Sequence, residues 1–207
     1  LERHGLWLDT KDYTQLRAVT SAEFMPDPSR EPVEIFSKPG LFGWNKVDQG
    51  SAFLAQHLPA FVDTLAAAPK SALDLGCGYG YLTLMTRDLP LSRRVATDNN
   101  AAALLAAREN FARNQLDVTL TADDCARAIT EEFDILLCNP PFHQGFSIDG
   151  RLTDKFLAQT KRHLSNQGAA LFVVNQFIPL ERKARSYFER VEIFAENRSF
   201  KLVRLAH

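Results

Sequence analysis

The chain has 207 residues, 45% of them hydrophobic and 24% charged, a composition that suits one globular domain with a substantial core and excludes a disordered or low-complexity chain. With 24 basic and 25 acidic side chains the formal net charge is −1, which argues against wholesale charge-driven binding of polyanions. The average hides an asymmetry: residues 1–150 carry 13 basic and 20 acidic side chains and residues 151–207 carry 11 and 5, so a polyanion is expected to meet the C-terminal part first.

No apolar run approaches the roughly 20 residues needed to cross a bilayer, and no charged-then-apolar leader opens the chain. The expectation is a cytoplasmic protein without membrane contact. The three cysteines, Cys77, Cys125 and Cys138, are odd in number and lack ligand spacing, so neither a disulfide nor a metal site is expected. The chain starts at Leu1 rather than at a methionine, which suggests a piece of a longer protein.

In chain order, residues 1–40 mix Trp7, Tyr13, Phe24 and Phe36 with four prolines and are expected to be a lead-in of short strands or turns lying against a domain. From about residue 48 the spacing of Phe53, Leu54, Leu58, Phe61, Val62 and Leu65 predicts a helix, interrupted near Pro59 and ended by Pro69. Strands are then expected at 72–75, 94–97, 118–121, 133–138 and 170–174. Helices are expected between them at 81–88, 100–114, 125–129 and 154–164. Strands alternating with helices of this length call for a parallel sheet covered on both faces. After a last helix near 179–187, runs at 191–195 and 200–205 flank the turn-like Glu196-Asn197-Arg198-Ser199. The fold class is therefore α/β: a doubly wound, mostly parallel, seven-stranded sheet ending in an antiparallel hairpin.

The segment Asp74-Leu75-Gly76-Cys77-Gly78-Tyr79-Gly80 places alternating glycines directly after a strand, where an open α/β sheet admits a ligand and backbone approaches it closely. The spacing is G-x-G-x-G rather than the G-x-G-x-x-G of dinucleotide sites. Asp74 at the strand end would repel a pyrophosphate and suits a cationic amino or sulfonium group. Asp98, closing the second strand, suits a ribose diol, and Asp123-Asp124 follows the third strand within reach of an adenine amino group. Each feature alone has a plainer explanation, a tight turn or a helix N-cap; in register after three successive strands they make a cofactor site.

The fourth strand delivers Asn139-Pro140-Pro141-Phe142 to the same edge. The Asn139 side-chain oxygen and the Pro140 carbonyl are two acceptors for the hydrogens of a planar amine, whose lone pair is thereby turned toward an electrophilic methyl. A residue before proline is kept out of helical geometry, which displays Asn139. Phe142 offers a face on which an extruded base stacks.

Taken together, these motifs resemble class I S-adenosylmethionine-dependent methyltransferases of Rossmann-like fold, over nearly all of residues 70–207. The resemblance implies that Asp74, Gly76 and Gly78 line the methionine end, that Asp98 holds the ribose, and that Asp124 with Cys125 borders the adenine. Asn139-Pro140-Pro141-Phe142-His143, with Pro39-Gly40-Leu41-Phe42 and Val47-Asp48-Gln49-Gly50-Ser51 upstream, is similar to the bacterial ribosomal RNA guanine-N2 methyltransferases, those of the small subunit foremost. That family implies a methyltransferase domain at 41–207 preceded by a 1–40 lead-in, cofactor contacts from Asp48 and Gly50, S-adenosylmethionine as cofactor, and methylation of guanine N2 in 16S ribosomal RNA. It also implies ribosomal RNA or a ribosomal subunit as partner and a further N-terminal domain of the same chain. The large-subunit 23S enzymes are nearly as well matched. Protein-glutamine N5 methyltransferases typically carry Tyr where Phe142 stands. Amine methylation needs no general base, so His143 is expected at most to position the acceptor, and Arg182, Lys183, Arg185, Arg190, Arg198, Lys201 and Arg204 are candidates for phosphate contact.

Overall fold

The structure is a computed structural model that describes residues 17–19, 33, 35–142 and 150–207. A two-stranded antiparallel ribbon, β1 (Arg17–Val19) and β2 (Ile35–Ser37), precedes the main sheet. The main sheet holds β3 (Ser71–Leu75), β4 (Arg93–Asp98), β5 (Thr119–Ala122), β6 (Phe133–Cys138), β7 (Leu164–Asn175), β8 (Arg190–Glu196) and β9 (Phe200–Ala206) in the order β5-β4-β3-β6-β7-β9-β8. The first five strands run parallel, and β9 pairs antiparallel with both β7 and β8. The expected sheet and its closing hairpin are thus present.

Helices α1 (Gln49–Val62), α2 (Tyr81–Met85) and α3 (Ala101–Arg113) cover one face, while α4 (Gly150–His163) and α5 (Leu180–Ala184) cover the other. The split follows strand alternation. Ile135 and Leu137 pack with Leu54, Leu84 and Phe111 on the first face, whereas Leu136 and Cys138 pack with Phe156, Leu157 and Phe188 on the second. Val33 and Ile35, each 1% exposed, join the first of these clusters.

Three expectations need correction. Pro59 does not interrupt its helix: α1 runs through it to Val62, and the Pro59 carbonyl accepts the Asp63 N–H at 3.0 Å. Residues 125–129 form no helix, because Cys125 and Ala126 adopt φ of 58° and 57°, the left-handed region that ends helices. Strand β7 begins at Leu164, six residues before its apolar run. Its polar opening pairs with β6 across a register shift between Phe133 and Ile135, and a Cβ on Gly168 would stand 2.8 Å and 2.9 Å from the Asp134 and Phe133 carbonyl oxygens, so only a glycine lets the two backbones come this close.

The winding reverses at β3. The chain builds β4 and β5 outward on one side and returns to form β6 on the other, which opens a crevice at the carboxyl ends of β3 and β6, where open α/β sheets bind ligands.

Candidate active site

A cavity of about 380 Å³ lies at this edge, within the size range of small-ligand sites. Each parallel strand from β3 to β6 contributes to its wall: Gly76 and Gly78 after β3, Thr97, Asp98 and Asn99 at β4, Asp123, Asp124 and Cys125 after β5, and Asn139 and Pro141 after β6. Leu41, Phe42, Tyr79, Asn100, Ala103, Leu152 and Phe156 complete it. Of the residues singled out in the sequence, Gly76, Gly78, Asp98, Asp124, Cys125 and Asn139 meet here; Asp48, Gly50, Asp74, Pro140 and Phe142 do not line the wall.

Asp98 ties two walls of the cavity together. Its Oδ2 accepts the Gly78 N–H and its Oδ1 the Asn100 N–H, each at 2.8 Å. Gly78, at φ 56°, aims its N–H at that carboxylate, while Gly76 and Cys77 donate theirs to the Thr97 carbonyl at 2.9 and 2.8 Å. Asn100 in turn caps α3 by accepting from Ala102 and Ala103. A carboxylate offers about four lone-pair sites, so two remain on Asp98 after these bonds.

The β5 exit is a shaped loop. Asp123 accepts the Ala128 N–H at 2.7 Å, and buried His163 reaches the Ala126 and Glu131 carbonyls at 2.9 and 2.8 Å. This fixes Cys125, whose thiol is pushed up to about 11 by burial and so forms an uncharged wall. Asp124 is half exposed and ion-paired with Lys155, whose bond holds the carboxyl below its ordinary range.

Asp74 sits behind the glycine turn rather than in the cavity. Its Oδ2 accepts the Thr83 N–H at 3.0 Å and the Thr83 hydroxyl at 2.6 Å, securing the first turn of α2. Its Oδ1 is buried and has no hydrogen-bond partner among the described residues. Burial drives the carboxyl up to about 7 against the Thr83 bonds, and the charge of Asp98 adds to the rise.

At the exit of β6, Asn139 Nδ2 donates to Asp48 Oδ2 and to Ser51 Oγ, both at 2.8 Å. Asp48 is the N-cap of α1, its Oδ2 also accepting the Ser51 N–H at 2.8 Å. Gly50 is tightly packed: a Cβ there would lie 3.0 Å from Asp48 Oδ2 and 3.2 Å from the Phe200 ring, so both side chains would have to give way. The Pro140 carbonyl accepts the Phe142 N–H at 2.8 Å, a tight turn inside the tetrad. Phe142 is only 4% exposed and meets Phe156 edge-on with centroids 5.7 Å apart. It backs a cavity-wall ring and offers no open face of its own; the exposed aromatic at the wall is Phe42, 53% exposed. His143 lies outside the described residues.

The chain matches the model of the family described as the methyltransferase small domain over residues 32–204. The chain belongs to this family. Similar proteins include the ribosomal RNA small subunit methyltransferase C of Haemophilus influenzae (strain PittGG), 31% identical over 173 residues that make up 83% of this chain and 51% of the relative. That of Hamiltonella defensa is 33% identical over 82% of this chain and 49% of its own length. The chain thus spans about half the length of the curated relatives it matches. Among solved structures sharing the family's fold, the 16S rRNA N2 methyltransferase of T. thermophilus, solved in complex with AdoMet and guanosine, superimposes with a TM-score of 0.80. It is 24% identical, and the match covers 93% of this chain and 51% of that one. A methyltransferase from Pyrococcus furiosus matches with a TM-score of 0.65 at 16% identity over 84% and 88% of the two chains.

Some residues that shape the site carried little signal in the sequence. Ser51 was legible only as the third residue after a capping Asp. Asn110, fully buried inside α3, takes the Phe36 N–H at 2.6 Å and donates to the Phe36 and Tyr79 carbonyls at 2.9 and 2.8 Å, tying β2 to the glycine turn. The basic group divides. Lys183 pairs with Asp154 and Lys201 with Glu181 at 2.9 and 2.7 Å, and Arg204 with Glu192 at 3.1 Å. Arg182, Arg185, Arg190 and Arg198 are exposed and make no ion pair among the described residues. Among those residues no helix is long and apolar enough to cross a membrane, and no cluster of His, Cys, Asp or Glu has the makings of a metal site.

Proposed function

We propose that this chain transfers a methyl group from S-adenosylmethionine to the exocyclic N2 of a guanine in the 16S ribosomal RNA of the small subunit. The observation that carries the reading is the Asn139 amide. Both Nδ2 hydrogens are taken, by Asp48 and Ser51, so Oδ1 is the atom left to meet a substrate at the cavity wall. An amide oxygen fixed in this way accepts an N–H of a planar amine and holds the nitrogen lone pair toward an electrophile. The Pro140 carbonyl, with one lone pair committed to Phe142, supplies the second acceptor. The kinship with proteins named as small-subunit ribosomal RNA methyltransferases supports that RNA as the substrate, and the likeness to a 16S rRNA N2 methyltransferase solved with guanosine supports guanine as the amine.

The cavity suits the cofactor in size and in donor set. S-adenosylmethionine, when bound, supplies an electrophilic methyl group on a sulfonium. Asp98 uses its two spare lone pairs to take the ribose hydroxyls. Gly76 and Gly78 let backbone approach the methionine end, and Asp124 with Cys125 borders the adenine. Asp74 serves from behind the wall by securing α2, and Gly50 by admitting the Phe200 ring. Phe42 is the aromatic that meets the acceptor base, with Phe142 stiffening Phe156 opposite. Residues 41–207 form the methyltransferase domain in this reading, the lead-in docking through Val33 and β2. RNA phosphates fall to Arg182, Arg185, Arg190 and Arg198.

The test incubates the protein with radiolabelled S-adenosylmethionine and, separately, unmodified small and large ribosomal subunits, then digests the RNA to nucleosides. Label in N2-methylguanosine from the small subunit is the expected result. Label from the large subunit alone, or in any other nucleoside, overturns the assignment.

A further inference from the structure

Asp48 and Asn139 lie 91 positions apart in sequence and come from different elements, the N-terminus of α1 and the exit of β6. Ser51, one turn into α1, stands on the same side of the Asn139 amide. Three hydrogen bonds of 2.8 Å close this triangle: Ser51 N–H to Asp48 Oδ2, Asn139 Nδ2 to that same oxygen, and Asn139 Nδ2 to Ser51 Oγ. A carboxylate has acceptors only, so the amide nitrogen, not the oxygen, must face Asp48. The cap therefore removes the two-fold ambiguity of an asparagine side chain and leaves a single orientation, with Oδ1 away from α1.

We propose that Asp48 and Ser51 are positioning residues for Asn139: the cap of α1 clamps its amide so that Oδ1 alone is presented to the acceptor amine, and the Asp48 charge polarises that oxygen. The role rests on Asn139 being the amine-binding residue. It differs from the cofactor contact that the family resemblance implies for Asp48, which does not line the cavity. Charge-assisted bonds in series strengthen one another, so a negative oxygen on Nδ2 makes Oδ1 a better acceptor than an amide bonded to water.

The decisive experiment compares wild type, Asp48→Asn, Ser51→Ala, Asn139→Ala and the two doubles with Asn139→Ala. Asn is as good an N-cap as Asp, so Asp48→Asn keeps α1 while removing the charge. Each single variant at the cap is expected to lose about tenfold in kcat, the worth of one hydrogen bond. The KM for RNA and the Kd for S-adenosylmethionine should stay within about twofold. Neither cap substitution should slow Asn139→Ala further, because residues acting through one group are not additive. In parallel, the Asn139 side-chain amide is read by ¹⁵N NMR, assigned by its loss in Asn139→Ala. In both cap variants its signals should shift and exchange faster with water. A cofactor Kd that rises in step with the loss of kcat, additive losses in the doubles, or an unmoved amide signal would each overturn the proposal. Absence of guanine methylation by the wild type overturns the proposed function instead, and the amide signal still decides whether the clamp exists.

Discussion

Asp98 Oδ2 accepts the Gly78 backbone N–H at 2.8 Å across 20 positions of sequence, so the residue expected to read the ribose also holds the glycine turn in place. Its other oxygen binds the Asn100 N–H, and the carboxylate thereby joins the β3 exit to the start of α3. Asp98→Asn can keep only one of these acceptor roles and loses the charge. Cofactor affinity is expected to fall about 10- to 100-fold, the range of a charge-assisted hydrogen bond, measured by calorimetry with S-adenosylmethionine. An unchanged dissociation constant would remove Asp98 from the site.

Asn139→Ala separates binding from chemistry. The substitution deletes the acceptor oxygen but leaves the walls at β3, β4 and β5 intact, so cofactor affinity should stay within a few-fold while turnover drops at least 100-fold, a loss typical of removing a group that orients the reacting atoms. Single-turnover methylation of small subunits, run alongside calorimetry, reads both quantities. Comparable losses in the two would mean that Asn139 serves the cofactor.

The glycine turn is also a packing device. Gly80 adopts φ 90°, and a Cβ there would lie 2.6 Å from the Phe111 ring on α3. Gly80→Ala therefore combines backbone strain with overpacking, together about 2–4 kcal/mol. Urea unfolding should show that loss at unchanged slope. Replacing Phe111 with Leu in the same chain should recover the steric part and not the strain.

Much of this architecture was readable from local pattern. Phe133–Cys138 is apolar except for Asp134 and became β6 with the expected limits, because a strand buried on both faces reads as a near-continuous apolar run. Asp98, Asp124 and Asn139 stood at strand ends, and parallel register alone brings such residues to one edge. What escaped was set by contacts distant in sequence. The polar start of β7 is held by pairing and by Asp134, whose carboxylate accepts from Lys70, Ser71 and Ser165. Phe142 looked like a stacking face, yet Phe156 from α4 covers it. Lys183, Lys201 and Arg204 stood among the candidates for phosphate contact, yet acids on α4, α5 and β8 pair with them. The Asp48 clamp joins residues 91 positions apart, beyond the reach of any local pattern.

Asn110 tests the link between the lead-in and the site. Its side chain makes three bonds to the backbone of Phe36 and Tyr79, and Asn110→Ala leaves those groups unpaired in the core. At about 1 kcal/mol for each bond the loss is about 3 kcal/mol. Asn110→Asp keeps an acceptor for the Phe36 N–H and turns the rest into repulsion against two carbonyls, so it should be no better than Ala. Denaturant titration decides, and a change below about 0.5 kcal/mol, the size of an ordinary surface substitution, would show that β2 is not held through this residue.

Asp74 makes stability depend on pH with a definite sign. Its carboxyl titrates near 7 in the folded protein and near 3.9 in an unfolded chain. Below about pH 4 both states are protonated and the group costs nothing. As pH rises toward 7 the unfolded chain ionises first, so unfolding releases a proton and stability falls, by up to about 1.4 kcal/mol per pH unit. Above about 7 the penalty is complete and constant. Asp74→Asn keeps an oxygen for the Thr83 N–H and hydroxyl but has no charge to bury. Its unfolding free energy should fall less steeply than that of wild type between pH 4.5 and 7, and should exceed it at pH 8. Carboxylates held below their ordinary range act in the opposite direction, Asp134 among them, since hydrogen bonds there outweigh the cost of burial. The comparison is therefore between the two proteins and not of the wild-type profile alone. Parallel profiles for wild type and Asp74→Asn would show that Asp74 is ionised in the fold throughout this range.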